Sequence, residues 1–497
     1  MISRASPAVI AAAADLSPAV IVAAARAERP VTLAPELLDA LAANRRDTLA
    51  DLAGDRPVYG VNTGMGAMAG VRLDAAAQAR QQNTLMIGRA VGSAPWLSRR
   101  EARAVLAARL RTLLHPAAGV SPGLCGFLAA LLDADVVPAI PRGGGAAGEI
   151  ISLAHAGAVL IGAGQVLGPD GEAIDAAPVL AAAGLAPRPF EAKEGVAFLE
   201  GVPGLTGLAV LAADDARRLL TQVLVTAAAS HTVIGASHDP LHPALADSPE
   251  LESVLATLRD LLAGGPARRL QAPVSFRVTA PALAVARRAV DGLAAAAERA
   301  LAAVTDSPAH LDGRFAGTFG FAGTDLAAAA GALTTALGHL AELGAARLHR
   351  LLDQEITGLP RQLSDTPGLH AGMVTVHKRA AGVVHRLRRF AAPALIGAME
   401  TSLGQEDVQS FGFEAAECLH EAIAGLRDVV ACELLAVHQA RLLGAPVGGA
   451  VEEIAAVLPP GTGDRPFGRD LDRLIGLLAG GWPAPGRTPA TGPADGR

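Results

Sequence analysis

The stretch VYGVNTGMG, residues 58–66, carries the only tyrosine in a chain of 497 residues. Tyr59 stands among glycines in a segment that suits neither helix nor strand, so its phenol belongs to a loop. A phenol donates a hydrogen bond and, once ionised, accepts a proton. Its ordinary pKa of about 10 must be lowered by nearby positive charge or donors before it does so near neutrality. A second glycine-rich stretch, Gly143 to Gly148 in PRGGGAAGE, runs straight into a helical pattern. It would present backbone amides at a helix N-terminus, where anions and developing oxyanions are stabilised, or it is a tight connection kept for packing.

These loops must be positioned by something large, and the composition supplies it: 51% of residues are apolar and the mean hydropathy is +0.35. Residues 1–203 mix short helical patterns with glycine-rich loops, and this part is expected to carry the site. From about residue 204, LTGLAVLAADDARRLLTQVLVTAAAS and DLAAAAGALTTALGHLAELGAARLHRLLDQ repeat apolar residues at three and four, the period of long helices. Residues 204–440 read as a central long-helix bundle. Residues 441–497 read as a C-terminal segment in which DLDRLIGLLAG is helical and WPAPGRTPATGPADGR is a frayed tail. No strand pattern of any length competes, so the fold is expected to be mainly α.

The net charge of −6, with no basic run, argues against nucleic acid as the main partner. No uninterrupted apolar run reaches the roughly 20 residues of a membrane span, so no membrane partner is expected. The first residues could pass for a weak signal peptide, but SPAVIVAAARAER reads on as a capped amphipathic helix from Ser17. Cys125, Cys418 and Cys432 are widely spaced, which argues against a disulfide framework or a zinc site and for a reducing cytoplasm. No metal or nucleotide motif appears.

Eight fragments in order resemble the aromatic amino acid ammonia-lyases, the histidine and phenylalanine ammonia-lyase family: YGVNTGMG at 59, QQN at 81, AAGEIISLAH at 146, KEGVAFLEG at 193, QAPVSFR at 271, FAGTDLA at 321, RLLDQEITGLP at 350 and GQED at 404. The resemblance covers roughly residues 15–475. It implies an elongated helical bundle of the L-aspartase/fumarase-like type with a loop-rich N-terminal part. It also implies a homotetramer whose active sites combine loops from several subunits. Tyr59 matches the family's catalytic base, although a structural phenol is the alternative. Arg277 matches the arginine that pairs with a substrate carboxylate, a geometry that suits a guanidinium; an ion-paired surface arginine is the alternative. Asn62 and Gln271 match polar residues lining the site, Phe321 an aromatic wall, and Gln405 and Glu406 of GQED the region of a carboxylate near the substrate amine. A helix-end or interface carboxylate is the other reading of Glu406.

The chain departs from the family where the electrophile is made. Members cyclise Ala-Ser-Gly into methylidene imidazolone, and the matching residues are Ala146, Ala147 and Gly148. Ala147 has no hydroxyl to lose, and no serine, threonine or cysteine lies between Pro141 and Gly148, so no such prosthetic group and no diffusible cofactor are expected. Glu149 stands where the family has aspartate, Ser152 where it has proline, Glu200 where it has asparagine, Val274 where it has a tyrosine and Arg89 where it has a histidine. A carboxylate at Glu200 near Tyr59 would oppose phenolate unless burial keeps the carboxyl protonated; Glu200 would then be a second acid or base, or a grip for a cation, the alternative being a solvated loop glutamate. Three readings follow: a lyase- or cyclase-type enzyme acting on a small carboxylic acid, with Tyr59, Glu200 and Gly148 as catalytic groups; a catalytically silent homologue used for binding or assembly; and ammonia loss by an unfamiliar route.

Overall fold

The computed structural model describes residues 6–54, 56–143, 145–146, 148–262, 267–397, 399–409, 411–447 and 449–483. Ala147 and residues 484–497 of the expected tail lie outside them. The described chain is mainly helical. Its strands are six three-residue segments in three pairs: Ala8–Ile10 with Val31–Leu33 in parallel, and Gln165–Leu167 with Ala173–Asp175 and Ala309–Leu311 with Arg314–Ala316 antiparallel.

The chain forms two compact units, each discontinuous in sequence. The first comprises Met1–Ala213, Leu293–Ala330 and Pro393–Glu417; the second comprises Asp214–Gly292, Gly331–Ala392 and Cys418–Arg497. Four of the boundaries fall inside the long helices Pro203–Ile234, Thr279–Ala302, Thr324–Leu351 and Gly412–Leu442.

In the first unit the helix Arg99–Leu113 is the core element. Ser98 caps it, accepting from Glu101 N while Glu101 returns a bond to Ser98 N, and eleven of its fifteen residues are buried. It packs against Pro18–Ala25, the helix expected from Ser17, whose hydroxyl accepts from Val20 N. Ala75–Arg89 packs against Ile150–Leu160 and Glu194–Leu199. The approach is close: a Cβ on Gly195 would lie 2.3 Å from the Gln82 carbonyl oxygen, so only glycine fits there.

The second unit contains a buried ion pair to which all four long helices contribute. Glu433 accepts from Arg347 Nε at 2.7 Å and Nη2 at 2.8 Å and from Ser230 Oγ at 2.7 Å, and Arg347 Nη1 donates to Thr279 Oγ1 at 3.0 Å. The pair is 0–1% exposed. Two stretches, 194–234 and 320–351, are long and apolar enough to cross a membrane by length and composition, more than the sequence reading allowed. In the structure 83% and 56% of their most apolar windows are buried within the protein, which is how core helices satisfy the same pattern. The three cysteines are buried and unpaired with one another.

Replacing Glu433 by Gln leaves Arg347 buried without its counter-charge and is expected to cost about 3–5 kcal/mol of unfolding free energy. The double variant Arg347→Met/Glu433→Leu should recover most of that loss, both read by urea denaturation at one protein concentration.

Candidate functional site

Tyr59 is half-buried on a loop closed by short backbone bonds. Gly60 N donates to Gly64 O, Gly64 N to Val71 O, and Thr63 bridges Arg72. Gly60 has φ +65°, and a Cβ there would meet Met65 Cγ and Val196 Cγ2 at 3.0 Å, so the loop needs a residue without a side chain. The three residues of QQN clamp the surroundings. Gln81 donates to Thr63 O, Gln82 donates to Gly60 O and accepts from Val196 N, and Asn83 pairs with both backbone groups of Phe190. Asn62 is buried, accepting from Val58 N at 2.7 Å and donating to Arg56 O at 2.8 Å. Its amide therefore holds the loop from inside.

The phenol oxygen accepts a hydrogen bond from Gly66 N at 2.7 Å. Burial lifts its pKa above the ordinary 10.0 and is the largest influence; the Gly66 N–H lowers it, Glu200 and Glu406 lift it, and Arg89 lowers it. A phenol made acidic by its surroundings is thus not what the chain provides: loss of hydration outweighs one amide and one guanidinium. Arg89, in the last turn of Ala75–Arg89, is half-buried, and its own pKa is lowered by burial while Tyr59, Glu200 and Glu406 raise it. Glu406 sits in the Thr401–Glu406 turn, where its carboxylate accepts from Thr401 Oγ1. A Cβ on Gly66 would lie 3.0 Å from Ser402 Oγ and 3.8 Å from Glu406 Oε1, so this turn lies against the tyrosine loop. Gln405 is exposed beside it.

Glu200 is 8% exposed and ends the short helix Glu194–Leu199. Burial pushes its pKa up to about 8, Asp306 adds to the rise, Lys193 and Arg109 oppose it, and Glu406 adds a little more. The carboxyl is therefore protonated at neutral pH, the condition under which it stops opposing phenolate. Three residues that the sequence reading did not single out surround it. Lys193, with φ 71°, is fully buried in an ion pair with Asp306, whose Oδ1 is buried without a hydrogen bond. Arg109 is 1% exposed, donating to the carbonyls of Ala197 and Glu200. One signal pointed to this cluster: Lys193 and Lys378 are the only lysines among 42 basic residues.

Glu149 is also buried. Its carboxylate accepts from Gly204 N at 2.5 Å and Leu205 N at 2.6 Å, capping the first turn of Pro203–Ile234. Burial raises its pKa to about 7 against these two N–H groups and Arg109. Gly148 beside it has φ +77°, and a Cβ there would lie 3.8 Å from the carbonyl oxygen of Phe321. Ala146 and Gly148 thus stand in the first unit with Tyr59, Asn62, Arg89, Glu200, Phe321, Gln405 and Glu406. Gln271, Val274 and Arg277 belong to the second unit. There Arg277 Nη1 donates to Gln271 Oε1 at 3.1 Å, all three side chains are exposed, and they line a cavity of about 700 Å³ with Asp239, Asp247 and Leu270.

Residues 146–148, Ala-Ala-Gly, carry no side-chain hydroxyl. Among the described residues no group of three or more His, Cys, Asp and Glu is placed to hold a metal ion.

A family model described as aromatic amino acid lyase matches residues 16–458. The chain belongs to the aromatic amino acid lyase family. This lyase is 32% identical over 492 residues to the histidine ammonia-lyase of Streptomyces coelicolor, covering 94% of this chain and 96% of that protein. Its fold matches the tyrosine aminomutase of Streptomyces globisporus with a TM-score of 0.88 at 25% identity, over 94% and 95% of the two chains. It also matches Ergothionase of Treponema denticola, an ergothioneine-degrading enzyme, with a TM-score of 0.87 at 22% identity over 93% and 97%, a likeness of fold.

Two outcomes follow for this lyase. With a single tyrosine, phenolate absorbance titrates Tyr59 alone, and its midpoint is expected above 10; Arg89→Met should raise it further, and Glu200→Gln, which removes a group already ionised at that pH, should lower it. A carboxyl whose folded pKa is raised binds its proton more tightly in the folded state, so its contribution to stability falls as pH climbs from the unfolded value towards about 8. Glu200→Gln should therefore gain in unfolding free energy relative to wild type between pH 5 and pH 8, as measured by denaturation at both values.

Proposed function

We propose that this lyase works without methylidene imidazolone, as a lyase- or cyclase-type enzyme in which Tyr59 and Glu200 handle the proton of a small carboxylic acid substrate. Two features support this reading together: residue 147 is an alanine without a hydroxyl, and a buried carboxyl whose pKa burial lifts to about 8 stands at Glu200 in the electrostatic reach of Tyr59. A β-proton of an ordinary amino acid is very weakly acidic and its amine leaves poorly, so the substrate must bring its own activation. That means a better leaving group, or an α,β-unsaturated carbonyl that accepts an internal nucleophile.

In the free chain both Tyr59 and Glu200 carry protons at neutral pH. A cationic group on the substrate, seated against Glu406 beside the phenol, would favour phenolate at Tyr59 while Glu200 keeps its proton, so the base forms when substrate is in place. The backbone amides at Gly148 would stabilise enolate charge. Arg277, with Gln271, would hold the substrate carboxylate in the second unit's cavity, whose wall includes Val274. We propose a homotetramer whose active sites combine loops from several subunits, and a cytoplasmic setting. The raised phenol pKa favours one second reading, a silent homologue that binds without turnover.

The test is incubation in deuterated water with cationic β-substituted and α,β-unsaturated acids, with mass spectrometry of the products, alongside an ammonia assay on ordinary amino acids. Deuterium uptake or a new double bond or ring is expected without ammonia from histidine, phenylalanine or tyrosine, and Tyr59→Phe should slow it by about 100-fold or more. Ammonia release from an ordinary amino acid would sink the proposal in favour of an unfamiliar elimination, and inertness towards the whole panel would favour the silent homologue.

A further inference from the structure

Glu200 is faced by charged groups from several elements: Arg89 on Ala75–Arg89, Arg109 on Arg99–Leu113, Lys193 beside its own short helix, Asp306 after Thr279–Ala302, and Glu406 in the turn, with the Tyr59 phenol. Most of this charge is paired. Lys193 is committed to Asp306 in a buried ion pair, and a change at either partner would disturb the other. Arg109 differs. Among the described residues its guanidinium makes no ion pair within contact distance; it donates instead to two backbone carbonyls, Ala197 at 2.6 Å and Glu200 itself, and lies over the Phe198 ring at 6.0 Å. Its Nε is buried without a hydrogen bond. A cation placed on carbonyls rather than on a carboxylate keeps its field available to every acid around it. Asp306, Glu149 and Glu200 all feel it, in that order.

The close fit confirms that the guanidinium is built into this spot. Gly201 has φ +100°, and a Cβ there would lie 2.8 Å from Thr305 Oγ1 and 3.0 Å from Arg109 Nη2. The chain turns after Glu200 on a residue without a side chain, and the space goes to Arg109.

We infer that Arg109 is a positioning residue for the proton-transfer chemistry: it fixes the backbone of the 197–200 segment through two carbonyls and supplies one permanent positive charge shared by the Glu149 and Glu200 carboxyls. It touches no substrate in this scheme. Because the same cation acts on both acids, the two carboxyls respond together when that charge is removed. The inference rests on the reading of Tyr59 and Glu200 as the proton-transfer pair.

The test needs no substrate. Tyrosine labelled with carbon-13 at Cζ gives one resonance in this chain, and its shift against pH reports ionisation of its neighbours. Wild type should show an inflection near pH 8 that Glu200→Gln abolishes. Arg109→Gln, neutral but still able to donate to a carbonyl, should move that inflection up by about one pH unit or more, a tenfold change in the proton affinity of Glu200. Arg109→Lys, which keeps the charge, should leave it near the wild-type position. If Gln and Lys variants shift alike, or neither shifts, the charge is not what Arg109 supplies and the inference is overturned. Should Arg109→Gln fail to give a folded circular dichroism spectrum, the folded Lys variant decides: an unmoved inflection supports the inference, and one displaced by about a unit overturns it. A wild-type titration with no Glu200-dependent inflection would overturn the Tyr59–Glu200 pairing itself, an outcome separable from any behaviour of Arg109.

Discussion

Five of the ionisable side chains buried in the first unit, Arg109, Glu149, Lys193, Glu200 and Asp306, act on one another. Desolvating that many charges is the constraint to which the rest of the site answers. The chain meets it in three ways. Lys193 and Asp306 neutralise each other, Glu149 takes two N–H groups at the start of a 32-residue helix, and Glu200 keeps its proton. Arg109 alone stays charged on backbone carbonyls. The result is an acid that gives up its proton near pH 8, in the electrostatic reach of a phenol that is less acidic than in water.

The tyrosine loop shows how such a group is held still. Its glycines allow a backbone path that side chains would block, and polar side chains from neighbouring segments then pin the carbonyls and amides that the path leaves unpaired. Gln81, Gln82 and Asn83, consecutive on one helix, reach three separate places: Thr63, the pair Gly60 and Val196, and Phe190. Successive residues of a helix point about 100° apart, so three neighbours in sequence can fasten three segments in space. The segment that contains Glu200 is thereby tied to the segment that contains Tyr59 through Gln82, whose amide touches the backbone of both.

The long helices were legible because period 3.6 persists through 25 or more residues, and so was the association of the loops at 59, 146, 200 and 321 through their resemblance to a family. The first unit's boundaries were not, since four of them lie inside helices, where the apolar pattern runs on unchanged. Glu200 was recognised as a departure whose meaning hinged on burial, and burial is a property of the packed core. Arg109 and Asp306 had no local signature: one is an arginine in an arginine-rich helix, the other an aspartate in the irregular segment between Thr279–Ala302 and Ala309–Leu311, and only tertiary contact brings them to residue 200. Asn62 was read from its match to a polar site residue, and nothing in the sequence signalled that its amide also bonds Val58, Arg56 and Arg72. The condition for Tyr59 to act as a base was framed in terms of nearby charge and donors, while the larger influence on its pKa is the water it loses.

Lys193 has a further practical meaning. With arginine serving almost everywhere as the cation and this lysine sealed in its ion pair, Lys378 on the helix Val374–Leu387 is the one side-chain amine open to solvent. Apart from the amino terminus, an amine-directed dye, tether or resin therefore has a single address on each copy of the chain. That address lies in the second unit, whereas Tyr59 and Glu200 lie in the first. Surface attachment through it would be uniform in orientation, a property that most proteins acquire only by engineering.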